Sequence, residues 1–215
     1  MSKPIKTTIS GSLPKPAWLA EPEKLWAPWQ LQGEALDQAK ADAMRLAVDD
    51  QLRAGITVIG DGEQTRQHFV TTFIEHLGGV DFVNRKTVRI RNRYDADVPV
   101  VIDQVVRTRS VFVEDAKRLR ALTSKPIKFT LPGPMTMIDT LFDDYYKSRE
   151  KLAWAFAEIL NEEAKELSAQ LGDGAPAKQQ MAAGAGRPEG QERPKCEAEC
   201  QKSPRSFSNR ALRSY

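Results

Sequence analysis

The amino-acid sequence predicts an α/β protein with a parallel sheet, and three features of the chain lead to this fold class. Short β-branched runs such as Thr57–Ile59 end in glycine, as strands buried in parallel sheets do. Amphipathic helical patterns alternate with these runs, which is the order of βα units. An acid, Glu63, follows the strand-end glycines, where α/β proteins place functional side chains. We therefore expect a site at Glu63; an ordinary turn with a solvated acid is the alternative.

The composition excludes several classes of protein. With 215 residues, 40% of them hydrophobic and 28% charged, the chain fits one large or two small globular domains. No segment approaches the roughly twenty apolar residues that cross a bilayer, and the N-terminus lacks a signal-peptide core, so a cytoplasmic protein without a membrane partner is expected. The two cysteines, Cys196 and Cys200, both lie near the C-terminus. A fold built on disulfides is therefore excluded.

The composition changes after residue 171. Residues 1–171 carry 24 basic and 24 acidic side chains, whereas residues 172–215 carry 8 and 5 and supply the whole net charge of +3. This tail has no valine, isoleucine or tryptophan and a single leucine, Leu212. Such a segment buries too little apolar surface to offset its ordering entropy, so disorder is predicted. Because the surplus charge lies in the tail, it does not indicate a nucleic-acid surface on residues 1–171, and no nucleic-acid partner is expected.

The first third of the chain has the pattern strand, helix, strand. A strand is predicted at Lys6–Ser12, and a helix is predicted over Glu34–Ala54, where alanine and leucine recur at three- and four-residue steps. Gly55 ends this helix, and Thr57–Ile59 forms the next strand. Four prolines in the loop at 13–28 argue against regular structure there. Its tryptophans, and the one just after it, are expected to pack against the fold: Trp18, Trp26 and Trp29.

The following residues predict a β-ribbon and a further βα unit. A helical stretch over 68–77 ends at Gly78 and Gly79. The period-two alternation of Thr87–Arg91 and the β-rich Val98–Val106 then predict a ribbon inserted between the units. The remaining predicted elements are a helix at Glu114–Leu122, a buried strand at Ile127–Leu131 and an amphipathic helix at Ser148–Leu171.

Three stretches, in this order, resemble one protein family. They are TTISGSLPKPAWL at residues 7–19, IGDGEQTR at 59–66 and FTLPGPMTM at 129–137. Together they are similar to the catalytic barrel of cobalamin-independent methionine synthase, the 5-methyltetrahydropteroyltriglutamate–homocysteine methyltransferases. The resemblance covers residues 1 to about 171. It implies the N-terminal part of a (β/α)8 TIM barrel, with three of the eight strands, and methyl transfer from the co-substrate 5-methyltetrahydrofolate to homocysteine.

The resemblance also implies roles for individual residues. Gly11 and Ser12 match the loop whose backbone receives the homocysteine carboxylate, and Glu63 matches the acid that binds its ammonium group. Arg66 matches a nearby basic position on the substrate side. The loop that lines the folate side is matched by Pro132, Gly133, Pro134, Met135 and Thr136. No catalytic residue is assigned; His68 is a possible general base, with an exposed histidine at a helix start as the alternative.

The family holds the homocysteine thiol as a thiolate on zinc. Its zinc ligands, two cysteines, a histidine and a glutamate, come from later strands of the barrel that this sequence does not contain. Cys196 and Cys200 have C-x3-C spacing in the predicted disordered tail, which does not suit a structural zinc site. We therefore expect no metal ligands in this chain and no turnover by the chain alone.

Two other functions stay open. A uroporphyrinogen-decarboxylase-like or corrinoid-dependent methyltransferase has a related barrel. The stretch GDGEQTR favours the cobalamin-independent methionine synthases over both. A non-catalytic binding fragment would use the tail or the basic side chains of the ribbon, which could attract an anionic folate tail or nucleic acid. A solvated ribbon face is favoured, because aromatic residues are not interleaved there. These basic residues are Arg85, Lys86, Arg89, Arg91 and Arg93.

The unpaired strand edge of a partial barrel also predicts self-association.

Overall fold

Helices and short strands alternate along the computed structural model, which describes residues 5–22, 24, 27–90 and 92–171. The helices are α1 (Gly33–Arg53), α2 (Thr71–Ile74), α3 (Val113–Leu122), α4 (Pro134–Ile138) and α5 (Arg149–Leu171). The strands are β1 (Ile59–Gly60), β2 (Leu77–Ile90), β3 (Tyr94–Arg107), β4 (Ile127–Lys128) and β5 (Phe142–Asp143). The predicted division at residue 171 stays a prediction, and the predicted disorder of 172–215 lies outside the described residues.

The strands form two sheets, and one of them is parallel. Strand β1 pairs in parallel with β4, with Ile59 opposite Ile127. On the other side of β1, Val58 forms a parallel bridge with Thr8. Three segments therefore lie side by side in chain order and direction, which confirms the predicted α/β class. In the second sheet β2 and β3 are antiparallel and β5 adds to β3 in parallel, so this sheet is mixed.

Helices cover the parallel strands and form the main core with them. Met44 and Val48 of α1, Ile59 of β1, Ile127 of β4 and Phe156 of α5 are almost completely buried in one cluster. Each such side chain contributes about 1.5–3 kcal/mol by its removal from water. This core fixes where the ends of β1 and β4 lie, and hence the loops that follow them.

The proline-rich loop packs on α1 through small residues. Leu19 and Ala20 are fully buried against Ala39 and Ala43 of the helix, and Trp29 packs beside them. Trp18, by contrast, is 46% exposed, so the expectation that all these tryptophans pack is wrong for this one. The expectation for Trp26 lies outside the described residues.

The structure corrects the predicted second helix. Only Thr71–Ile74 is helical, because β2 already begins at Leu77, ten residues before the predicted start of the ribbon. Gly79 lies in this strand at φ +84°, and a Cβ there would stand 2.3 Å from the carbonyl oxygen of Gln104. The glycine thus serves a close approach of two backbones, at an irregularity in the pairing, and does not end a helix.

Two elements near β4 were not predicted. The strand expected over Ile127–Leu131 ends at Lys128, and α4 and β5 follow within fifteen residues. Pro134 stands at the start of α4, where its missing N–H is not needed. In the described part of the chain, no helix has the length and apolar character that a membrane crossing requires.

Candidate functional site

The loop that follows β1 is anchored to α1 by one buried amide. The side chain of Gln51, 3% exposed, donates to the Gly60 carbonyl at 2.8 Å and accepts from the Gly60 N–H at 2.9 Å. Both backbone groups at the strand end are therefore satisfied by the helix. This residue was not predicted, because a glutamine between charged helix positions gives no sign of burial.

Glu63 is held in an unusual backbone conformation. Gly62 and Glu63 follow one another at φ +64° and +56°, and the Glu63 N–H donates to the Asp61 carboxylate at 3.1 Å. A side chain in the left-handed region costs about 1–2 kcal/mol, which the surrounding contacts must offset. Backbone strain of this kind concentrates at functional sites, so it adds to the case for Glu63.

The structure brings the predicted residues Ser12 and Glu63 together across 51 positions of sequence. The Ser12 hydroxyl donates to Oε2 of Glu63. The Leu13 N–H donates to the Gly62 carbonyl, and the Gln64 side chain donates to the Leu13 carbonyl, each at 3.0 Å. The first loop is thus fastened to the loop after β1.

Gly11 lies at the open side of this junction. It has φ +80°, is exposed, and has no atom within 4 Å of the place a Cβ would take. Its backbone is therefore accessible next to the Ser12–Glu63 hydrogen bond. This placement suits the predicted role of Gly11 in receiving a carboxylate, which stays a prediction.

Arg66 is almost completely buried and ties the ends of the two parallel strands together. One guanidinium nitrogen donates to Asp61 at 3.1 Å and another donates to the carbonyl of Thr130 at 2.8 Å. The guanidinium also lies over the rings of Phe112 and Phe129, at 4.4 and 4.8 Å. Only 1% of the surface of Arg66 is exposed, so this side chain holds the site residues from the protein interior. Its predicted place on the substrate side stays a prediction.

The loop at 132–136 follows Thr130 by two residues and leads into α4. The Gly133 carbonyl accepts from the Met137 N–H at 3.1 Å, and Met137 is fully buried while Met135 is 38% exposed. Because β1 and β4 are parallel, this loop leaves the same sheet edge as the Glu63 loop. The folate-side assignment of Pro132–Thr136 stays a prediction.

His68 is buried, which corrects the alternative of an exposed histidine. Its Nδ1 accepts from the N–H groups of Val70 and Thr71, at 3.4 and 3.2 Å. Burial, and then the nearby Lys15 ammonium, lower the pKa of His68 from 6.5 to about 4. The imidazole is therefore neutral at pH 7.

Two further charged residues border the site and were not predicted. Lys15 is half-buried, and burial lowers the pKa of its ammonium while Glu63 acts in the opposite direction. Asp115 of α3 accepts from the Thr65 hydroxyl at 2.7 Å, and burial raises the pKa of its carboxyl. Lys15 could have been found from the sequence, because it lies inside the family motif TTISGSLPKPAWL. Asp115 lies in none of the three motifs, so no sequence signal pointed to it.

The described residues do not fit the zinc site of the resembled family. Within the described ranges, no three histidine, cysteine, aspartate or glutamate side chains are grouped so that they could hold a metal. Cys196 and Cys200 lie outside these ranges. A reaction step through zinc is therefore not assigned to this part of the chain.

A family model described as the catalytic domain of cobalamin-independent synthase matches residues 5–172. The chain belongs to this family. The resemblance predicted from three motifs is thereby confirmed. The parallel strands and the Ser12–Glu63 contact lie within the matched residues.

Individual relatives agree with the family. Methionine synthases of Sulfurisphaera tokodaii and Sulfolobus acidocaldarius are 32% and 30% identical over 164 residues, which is 76% of this chain and 48% of each relative. A solved B12-independent methionine synthase from Shewanella sp. W3-18-1, in complex with selenomethionine, shares 70% identity at a TM-score of 0.74, over 76% of this chain and 48% of that one. The chain thus spans about half the length of the proteins it matches.

Proposed function

We propose that this chain provides the amino-acid-binding part of a barrel that transfers a methyl group from 5-methyltetrahydrofolate to homocysteine. The observation that carries the proposal is the Glu63 carboxylate, fixed by Ser12 beside the open backbone of Gly11 at the end of a parallel strand. Membership of the cobalamin-independent synthase family and the names of the matched methionine synthases support it.

The two charged groups of an α-amino acid suit the two sides of the Ser12–Glu63 junction. An ammonium group donates charge-assisted hydrogen bonds to a carboxylate, the role proposed for Glu63. Exposed backbone N–H groups at Gly11 and Ser12 would take the carboxylate. The thiol would then point along the sheet edge towards the loop at 132–136, where the proposal places the methyl-folate. The described residues contain no group of three possible metal ligands, so the proposal assigns amino-acid binding to them and routes no reaction step through zinc.

The proposal includes a finer view of the fold. Thr8, β1 and β4 follow one another in parallel, which supports three consecutive strands of a (β/α)8 barrel, with β2 and β3 as an inserted ribbon. A cytoplasmic location, predicted from the sequence, belongs to the same proposal.

Calorimetric titration of the purified chain with L-homocysteine and L-methionine tests the proposal. We expect binding by the unchanged chain and an affinity at least about tenfold lower for Glu63→Gln, because the amide loses the charge that pairs with the ammonium group. Glu158→Gln is the matched control, since Glu158 is exposed on α5. Equal affinities of the Glu63 variant and the unchanged chain, or no binding at all, would contradict the proposal.

A further inference from the structure

We propose that Lys15 supplies the positive charge for the substrate carboxylate that the Gly11 and Ser12 backbone receives, so that Glu63 and Lys15 together recognise both charges of a zwitterion. This inference rests on the proposed function, because it assigns a second binding residue to the same site. Lys15 lies three residues after Ser12 in the loop that leads from the first parallel segment to α1.

The backbone that carries Lys15 is held against the Glu63 loop. Leu13, two residues before Lys15, is hydrogen-bonded through its N–H and its carbonyl to Gly62 and Gln64. Its side chain also packs so closely on Gly62 that a Cβ there would lie 3.2 Å from Cδ1 of Leu13. The backbone two residues before Lys15 is therefore held against the Glu63 loop.

The charges of Glu63, Arg66 and Asp61 act on the pKa of the Lys15 ammonium, and its charge acts in turn on the pKa of the buried His68. Lys15 therefore belongs to the same group of charges, in a loop that is hydrogen-bonded to the Glu63 loop. The side chain is half-buried, yet it forms no hydrogen bond or ion pair with any residue in the described ranges. A lysine in an open surface position behaves differently: Lys24 lies 2.6 Å from Glu21 in an exposed pair.

The charges of the site are unevenly satisfied, and a zwitterion would complete them. Asp61 is neutralised by Arg66 at 3.1 Å, whereas Glu63 lies 4.0 Å from the nearest Arg66 nitrogen. A partly desolvated ammonium without a direct partner is unfavourable. An α-amino acid brings an ammonium for Glu63 and, one carbon away, a carboxylate for Lys15. An amine without a carboxylate would satisfy only Glu63.

Titration with a pair of ligands isolates this contact. The ligands are L-methionine and 3-(methylthio)propylamine, which is the same molecule without its carboxylate. We expect Lys15→Met to weaken methionine at least about tenfold and to leave the amine within about twofold. Lys15→Arg should restore most of the methionine affinity, because it keeps the charge. Lys24→Met, on the same loop, should change neither ligand.

Each outcome decides between defined possibilities. Equal methionine affinity of Lys15→Met and the unchanged chain overturns the role of Lys15 and leaves the proposed function standing. An equal loss for both ligands shows a structural role and also overturns it. No binding of either ligand by the unchanged chain refutes the proposed function, and the inference falls with it. Circular dichroism checks folding; if Lys15→Met is unfolded, Lys15→Gln is judged by the same ligand pair.

Discussion

Two groups of charges, each with a buried carboxylate, differ in how completely that carboxylate is satisfied. In the helix cluster (Arg107, Glu163 and Glu166), Glu163 of α5 is fully buried and accepts from Arg107 at 2.8 Å. Its carboxylate also accepts from the N–H groups of Val111 and Phe112, at 3.1 and 2.7 Å. Glu163 thus joins β3, the start of α3 and α5, and its acceptor capacity is used by the fold.

The site cluster (Asp61, Glu63 and Arg66) is less complete. Within the described ranges the Glu63 carboxylate accepts from Ser12 and lies 4.0 Å from Arg66, and its backbone is left-handed. Burial alone therefore does not separate a structural acid from a binding acid. A structural carboxylate is saturated by its own chain, whereas a binding carboxylate retains capacity for a ligand.

The largest effect is expected at Glu163. The change Glu163→Gln replaces one carboxylate oxygen by an amide NH2, which cannot accept from Arg107 or from the backbone N–H groups it would face. We expect the free energy of unfolding to fall by about 2–3 kcal/mol, measured by urea denaturation. Glu166→Gln is the control, because this exposed partner of the same arginine should matter less. Similar losses of unfolding free energy for both variants would show that the fully hydrogen-bonded state of the Glu163 carboxylate is not what stabilises the fold.

A smaller, pH-dependent effect is expected at His68, beside the site cluster. Its pKa is about 4 in the folded chain and 6.5 unfolded. The unfolded chain therefore binds more protons between these values, and stability decreases as pH falls from about 6.5 to 4. We expect His68→Asn, whose Oδ1 can replace Nδ1 as acceptor, to remove about 1–2 kcal/mol of the stability difference between pH 7 and pH 5.

Urea denaturation of both proteins at the two pH values measures this difference. His76→Asn provides a comparison, because the pKa of this other histidine is also lowered by burial and its loss should likewise reduce the pH dependence. An unchanged pH dependence in the His68 variant would show that protonation of this ring does not weaken the fold.

The smallest effect on stability is expected at Glu63. The change Glu63→Gln keeps an oxygen that can accept from Ser12, and it removes a charge that the fold satisfies incompletely. We expect the unfolding free energy to change by less than about 1 kcal/mol, although ligand affinity falls. Differential scanning calorimetry without ligand measures this. A loss as large as that of Glu163→Gln would remove the distinction between the two clusters.

The sequence predicted what depends on local pattern and missed what depends on distant contacts. The helices α1, α3 and α5 were found within one residue at each end, because their apolar periodicity is local. Gly78 and Gly79 were misread, because the reason for Gly79 is a carbonyl group 25 residues away. In the site, the family motif predicted Ser12 and Glu63. It did not predict Gln51 or Lys15, whose significance depends on burial.

The left-handed backbone of Glu63 also has a consequence for how this sequence can drift. Glycine or asparagine adopts φ +56° more easily than glutamate, so random substitution towards them relieves strain. Selection for stability alone therefore favours the loss of this acid, whereas the ligand binding proposed for Glu63 would retain it. In a lineage released from that requirement, position 63 should be among the first of the site to change. Glutamate at this position thus combines a cost in backbone strain with the charge that the proposed binding role requires.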